Sequence, residues 1–378
     1  MLINRDEYRI NTIKSAFSKT REMQMSVKKR HFGETKDGQE ISIYTIDNGM
    51  ISASVTDFGA NLVSLLVPDA HGTVQDVILG FDTAEGYFDN SNFFGALIGP
   101  IANRTGDARF VLDGQTVQLP VNDTVNNLHT DFDNGIHKRM WHTLEGENFV
   151  TFTLEMKEGE LGLPGNKNFT VTYSVTDQND LCIHYHATTD RHMILNPTNH
   201  AYFNLNGHNS GSIEGQELQL NAHAFTPVRE GSIPTGEIRS VEGTALDFTT
   251  SKQIGRDINA DEEQLKLVGG YDHNFVIDGW NGGSELLHAA TAFSRQSGRQ
   301  MDVYTNLPGV QFYAGNFVDC PKGQGKEHST YGKRSAFCLE TQYFPDTIHH
   351  ENFPNYVFGE NRVYDSTTMY RFSTRQDG

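Results

Sequence analysis

Four short stretches place groups able to hydrogen-bond or move protons where a strand would put them on one face. In Asn199-His200-Ala201-Tyr202-Phe203-Asn204-Leu205, alternation sets His200, Tyr202 and Asn204 on one side and Ala201, Phe203 and Leu205 on the other. Phe337-Cys338-Leu339-Glu340-Thr341-Gln342 repeats the pattern, with Glu340 and Gln342 together. Gln311 aligns with Tyr313 in the run Gly309 to Phe317, and Asp272 aligns with Asn274 in the run Tyr271 to Ile277. An apolar face backed by a face of amides, phenols, carboxylates and imidazole suits strands lining a wet cleft. Such a set fits a polyhydroxylated ligand, because each hydroxyl both donates and accepts and its buried partners must match.

Among these groups His200 and Glu340 are suited to proton transfer near neutral pH. A carboxylate can take a proton from a hydroxyl, and an imidazolium can give one. Facing a cyclic sugar, such a pair has a minimal reaction. Glu340 removes the O1 proton of the hemiacetal while His200 protonates the ring oxygen. The ring opens, the aldehyde turns about C1–C2, and reclosure with the roles reversed gives the other anomer. Nothing is oxidised and no group is transferred, so no cofactor is needed. Taken one at a time, a strand histidine is more often structural and a strand glutamate more often solvated. It is the pairing on polar faces that points to chemistry.

The elements that must hold these residues read as β-structure. Gly, Asn and Asp clusters recur about every 8–12 residues from residue 31 onward, the spacing of an all-β sandwich or barrel. Leu181, Ile183, Tyr185 and Ala187 alternate with polar neighbours, and the stretches 149–156 and 169–175 are rich in β-branched and aromatic residues. Two short helices are expected, over Thr83–Phe94 and Asp261–Val268. No repeat and no Pro/Ser-rich linker divides the chain. The expected organisation is therefore a basic N-terminal appendage over 1–24 and a single large β domain over 25–378.

Composition narrows the function class. With 30 Lys and Arg against 48 Asp and Glu, the formal charge of the 378 residues is −18, which excludes a phosphate-backbone binder and electrostatic docking on an anionic membrane. No apolar run is long enough for a membrane-spanning helix and no secretory leader is visible, so a cytoplasmic protein is expected. The 24 Phe and 14 Tyr supply bulk for a core, so three widely spaced cysteines need not staple it, and their odd number fits a reducing compartment. His184-x-His186 is the one tempting metal pair, but the apolar residues between and beside them turn these imidazoles outward, and no metal is expected.

The chain resembles the aldose 1-epimerase (galactose mutarotase) family. The resemblance is carried by Asn103-Arg104, Ala108-Arg109-Phe110, Asn127-Leu128-His129, Thr198 to Leu205, Asp272-His273-Asn274, Pro308 to Asn316, and Phe337 to Gln342 followed by Phe344-Pro345-Asp346. It runs in order from about residue 31 to 372. It implies a large antiparallel β-sandwich, galactose mutarotase-like, with a few short helices and a sugar cleft on one face. It implies His200 as general acid, Glu340 as general base, and sugar contacts from Asn103, Arg104, His129, Asp272 and Gln311. The family pattern of Leu-His-Gly-Gly is here Leu128-His129-Thr130-Asp131. Larger side chains there are expected to alter the sugar's fit, and the Asp131 carboxylate to disfavour sugar phosphates.

The expected partner is a small sugar, with neither nucleic acid nor membrane, as monomer or homodimer. Three other readings are a related epimerase of a disaccharide or hexose phosphate, a non-catalytic carbohydrate-binding protein, and a glycoside hydrolase. The last would use Glu340 and Asp272 as carboxylates about 5–9.5 Å apart across a scissile bond.

Overall fold

The computed structural model describes residues 25–375. The appendage expected over residues 1–24 lies outside the described residues. Among the described residues every ladder between strands is antiparallel, apart from one isolated parallel bridge between Ile101 and Asn196. The widest sheet has nine strands. Its spatial order begins His142–Glu145, Phe149–Met156, Lys167–Val175 and Asp180–Thr189. It continues Tyr364–Thr374, Arg299–Thr305, Leu287–Phe293, Glu217–Leu220 and Lys252–Gln253. The strand Tyr364–Thr374 thus sits in the middle, bonded to Asp180–Thr189 on one edge and Arg299–Thr305 on the other.

The alternation along Asp180–Thr189 is the expected one. Leu181, Ile183, Tyr185 and Ala187 are buried, while Cys182, His184 and His186 point outward and are partly exposed.

A second sheet of five strands carries three of the four polar faces noted in the sequence, those of Asp272, Gln311 and Glu340. Its order is Arg239–Ser240, Ala224–Thr226, Asp272–Val276, Gly309–Tyr313 and Cys338–Gln342. A third, also five-stranded, runs Ser26–Glu34, Glu40–Asp47, Ser52–Thr56, Leu62–Pro68 and Val74–Asp76. One core joins all three: Phe152, Tyr173 and Tyr185 from the widest sheet, Phe275, Phe312 and Leu339 from the second, Tyr44, Val55 and Leu65 from the third. Each such side chain contributes roughly 1.5–3 kcal/mol by leaving water. Polar ties cross the same layer. Tyr370 Oη donates to the Leu339 carbonyl at 3.1 Å, and the Thr341 and Thr368 hydroxyls hydrogen-bond each other.

Both expected helices exist but are shorter, Ala84–Phe88 and Glu263–Val268. The first stops because the next turn is claimed by a side chain. Asn90 Nδ2 donates to the Phe94 carbonyl at 3.0 Å, and its Oδ1 accepts from the Phe94 amide at 2.9 Å. The backbone then enters the left-handed region at Phe93, φ 59°. The second helix ends at Gly269, φ 72°, a C-terminal position where glycine carries no Cβ penalty. No helix among the described residues is long and apolar enough to cross a membrane.

Candidate active site

Register turns the last three strands of the second sheet, out to its edge at Cys338–Gln342, into a polar platform. Residues directly opposite one another in an antiparallel pair share a face. Asp272 pairs with Tyr313 and Tyr313 with Cys338, forming one row; Asn274 pairs with Gln311 and Gln311 with Glu340, forming the next. The reverse face holds Phe275, Val310, Phe312 and Leu339, all in the core. The apolar side anchors the sheet, and the polar side is left to face the cleft.

Loops and a short strand close the cleft around this platform. His200 ends the strand Thr198–His200, which pairs with Ala96–Ile98 and is held to the platform by Thr198 Oγ1 donating to the Thr341 carbonyl at 2.9 Å. Asn103 and His129 are bound to each other. The Asn103 amide donates to His129 Nδ1 at 3.1 Å, and the His129 amide donates to the Asn103 carbonyl at 3.0 Å. That first bond fixes neutral His129 as the tautomer with its proton on Nε2, a donor. Arg104 reaches the cleft while its Nε donates to Asp123 Oδ2 at 2.8 Å.

Six of the seven expected site residues line one cleft: Asn103, Arg104, His129, His200, Asp272 and Glu340. Gln311 lies one layer behind. Its Nε2 donates to Asp272 Oδ1 at 2.7 Å, and its Oε1 accepts from Gln342 Nε2 at 3.3 Å.

At the floor, His200 Nε2 lies 3.7 Å from Glu340 Oε1, with side chains 7% and 3% exposed. Tyr202 stacks on the imidazole with ring centroids 5.0 Å apart. Phe93 packs against both His129 and His200. Glu340 Oε2 is buried without a hydrogen-bond partner. A buried carboxylate oxygen left open is costly unless a ligand satisfies it.

Burial dominates the electrostatics. It pushes His200 down to about 4 and holds His129 well below the ordinary imidazole value. It lifts Glu340 well above the usual carboxylate range, and Asp272 adds to that lift while Arg104 opposes it. Asp272 is itself raised by burial, against Arg104 and the Gln311 hydrogen bond. With one proton held between them, uncharged His200 and Glu340 have the same proton count as imidazolium and carboxylate. Hydroxyls donating to the carboxylate would favour the charged arrangement, which is the one that can act.

Among the described residues, one trio brings metal-ligand atom types together: His200, Cys338 and Glu340, with atoms within 4.8 Å of one another. Yet the closest sulfur approach is to His200 Nδ1, at 3.5 Å, and the closest carboxylate approach is to Nε2. These are opposite edges of one ring, so the arrangement suits a proton-transfer pair with a partner behind it better than a cation.

Three expectations need correction. Asn204 does not share the cleft face with His200 and Tyr202. The strand ends at His200, and Asn204 Nδ2 instead donates to the Gly211 and Ser335 carbonyls. Thr130 does not crowd the sugar. Though held at φ 65°, it is fully buried, and its hydroxyl bonds both the amide and the carbonyl of Ile101 at 3.0 Å. Asp131 does not line the cleft either; its Oδ1 accepts from the Asp133 and Asn134 amides, bracing its own turn.

Other cleft residues went unforeseen. Asn92 and Phe93 fall within the span expected as the first helix, which ends instead at Phe88 and leaves them in a loop at the cleft. Phe317 stands at the rim 68% exposed, where Gly315-Asn316-Phe317 offered only an unpaired aromatic as signal.

The family model for aldose 1-epimerase matches residues 42–371. The galactose mutarotase of Bos taurus is 37% identical over 350 residues, covering 92% of this chain and 99% of its own. The aldose 1-epimerase of Escherichia coli (strain K12) is 37% identical over 341 residues, covering 89% of this chain and 96% of its own. Among solved structures, an aldose epimerase homologue from C. elegans superposes with a TM-score of 0.78 at 32% identity, over 86% of this chain and 96% of that one. The galactose 1-epimerase of Lactobacillus acidophilus gives 0.79 at 28% identity, over 93% and 99%.

Proposed function

The chain belongs to the aldose 1-epimerase family and interconverts the α and β anomers of an aldose; from that premise we propose that His200 is its general acid and Glu340 its general base. The observation that carries the assignment is the pair itself, facing across 3.7 Å at the floor of the cleft. O1 and the ring oxygen hang on the same carbon, so one residue on each can act together. Glu340 accepts the O1 proton, the O1 electrons form the C1=O bond, and the C1–O5 pair leaves onto O5, which takes the Nε2 proton of His200. Rotation about C1–C2 presents the other face of the aldehyde. The ring then recloses as Glu340 returns its proton to O1 and His200 takes one from O5.

Asn103, Arg104, His129 and Asp272 are the groups we assign to the remaining sugar hydroxyls, with Gln311 orienting Asp272. Arg104 is the one Lys or Arg lining the cleft among the described residues, and it is already paired with Asp123. Two carboxylates face it, Asp272 and Glu340. This balance supports a neutral aldose over a sugar phosphate. We read residues 25–378 as the catalytic unit and a reducing, cytoplasmic compartment as its setting, the latter supported by three unpaired cysteines.

Polarimetry tests the assignment. Freshly dissolved α-glucose and α-galactose should mutarotate faster with the protein, and His200→Asn and Glu340→Gln should each abolish most of that acceleration. Retention of more than about half of wild-type turnover by either variant would overturn the role given to that residue.

A further inference from the structure

The reaction asks something specific of the His200 ring, and the side chain behind it is placed to supply it. Nε2 must carry a proton when it acts as acid and a lone pair when the ring recloses. Nδ1 must therefore keep its own proton through both states, or the neutral ring would hold its proton on the cleft side and have no lone pair to offer. A buried N–H needs an acceptor. Cys338 Sγ lies 3.5 Å from His200 Nδ1, with both residues buried. The placement follows from register: Cys338 is two residues from Glu340 on the same strand face, so one strand presents the base to one side of the imidazole and the sulfur to the other.

We propose that Cys338 is a positioning residue for the epimerase reaction, its sulfur accepting the Nδ1 proton of His200 and so holding the tautomer that leaves Nε2 free to give and take a proton. The inference rests on the acid role of His200. A thiol suits the task better than a carboxylate or carbonyl. Sulfur accepts weakly, so the imidazolium is not held back by a strong acceptor and remains a good proton donor. Burial keeps the thiol protonated, so no negative charge arises behind the ring. Other titratable groups face His200 as well: His129 and His137 from the loops, Tyr202 on its face, Tyr313 and Glu340 from the platform, with Asp272 and Arg104 beyond. None of these side chains hydrogen-bonds Nδ1; the sulfur is its side-chain partner, beside a backbone hydrogen bond within His200 itself.

The test combines kinetics with the ring-nitrogen chemical shifts of His200 in ¹⁵N-histidine-labelled protein, its signals assigned by their loss in His200→Asn. In the wild type above the acid limb, His200 should show a protonated Nδ1 and a bare Nε2. Cys338→Ala should shift the neutral ring toward the Nε2-protonated tautomer and lower kcat about tenfold, with KM changed less than about twofold. Cys338→Ser offers a stronger acceptor. It should keep the wild-type tautomer and most of the turnover, but stabilise the imidazolium and move the acid limb of kcat upward by about half a pH unit or more. Unchanged tautomer and acid limb in both variants would overturn the proposal and leave Cys338 a packing residue. A wild-type ring protonated at Nε2 instead would also overturn it. Should His200→Asn itself retain full turnover, the acid assignment falls first, whatever the Cys338 variants do.

Discussion

Of the places where this molecule sets imidazole beside carboxylate, two behave oppositely. On the outer face of the nine-stranded sheet, His184 Nε2 and His186 Nδ1 sit 3.2 and 3.1 Å from the two oxygens of Asp365, with side chains 43%, 38% and 54% exposed. There burial works against the carboxylate's charge, but the hydrogen bonds from His186 and His184 outweigh it and hold Asp365 below the usual range. In the cleft, imidazole and carboxylate are nearly dry. Desolvation outweighs attraction and pushes both His200 and Glu340 toward their uncharged forms. Chemistry comes from the pair held away from its preferred ionisation, ready for a substrate to tip it. The outer trio, already ionised at its carboxylate and bathed in water, has little left to do.

The comparison breaks most sharply at the base. Glu340→Gln keeps the shape and removes proton acceptance, and turnover should fall about 10²–10⁴-fold, roughly 3–5 kcal/mol of barrier, with sugar binding largely retained. His200→Asn should be damaging to a similar degree. The wild-type rate should also fall on both sides of a plateau, below about the His200 value of 4 and again at alkaline pH where the shared proton is lost. A rate flat from about pH 3 to 10 would contradict a shared-proton pair.

Stability sharpens the contrast next. His137 and His273 are both pushed down by burial to about 3, and His129 lies well below its ordinary value. Their folded values lie below the unfolded one near 6.5. The stability they contribute is therefore complete above about pH 6.5 and is lost as pH falls toward their folded values. Asp272 and Asp57, raised by burial, act in the opposite direction, losing stability as pH rises through their folded values. His200 and Glu340 largely cancel by sharing a proton. The three imidazoles win, and calorimetry should show Tm falling by at least about 5 °C between pH 6.5 and 4.5. A Tm that rises over that interval would mean these histidines are charged in the fold. The outer trio should matter least. Asp365→Asn should cost under about 1 kcal/mol in denaturant melts and leave turnover within about twofold. Exhaustive chelation should leave turnover unchanged, since the acid and base already flank the hemiacetal; loss of stoichiometric zinc together with activity would revive the His184/His186 reading.

What could be foreseen divides along the range of the interactions involved. The two-residue period of a strand is local, so the faces holding Asp272 with Asn274, Gln311 with Tyr313 and Glu340 with Gln342 were readable from one stretch at a time. The outward turn of His184 and His186 was readable for the same reason. Register between strands is not local, and it alone decides that Asn274, Gln311 and Glu340 form one row. The overlong first helix failed because Asn90 captures Phe94 instead of continuing the helical ladder. Asp131 looked like a cleft residue because it follows His129, but its carboxylate is spent on its own turn. In the sequence Cys338 is one of three widely spaced cysteines and lies in the stretch that holds Glu340. Its place behind His200 depends on a contact across 138 residues of chain.

The position of the strand Tyr364–Thr374 has a consequence for biosynthesis. It fills the centre of the widest sheet, yet every other strand of that sheet precedes it on the chain. While the ribosome is still making it, the two halves it will join expose facing unpaired edges, Asp180–Thr189 and Arg299–Thr305. Open edges of that kind invite pairing with other chains, and closure over such sequence separations is slow. The nascent polypeptide therefore passes through an interval in which most of the barrier-lowering residues are already synthesised but the sheet that backs them is split, and a late stop codon that removes this one strand would leave both edges open for good.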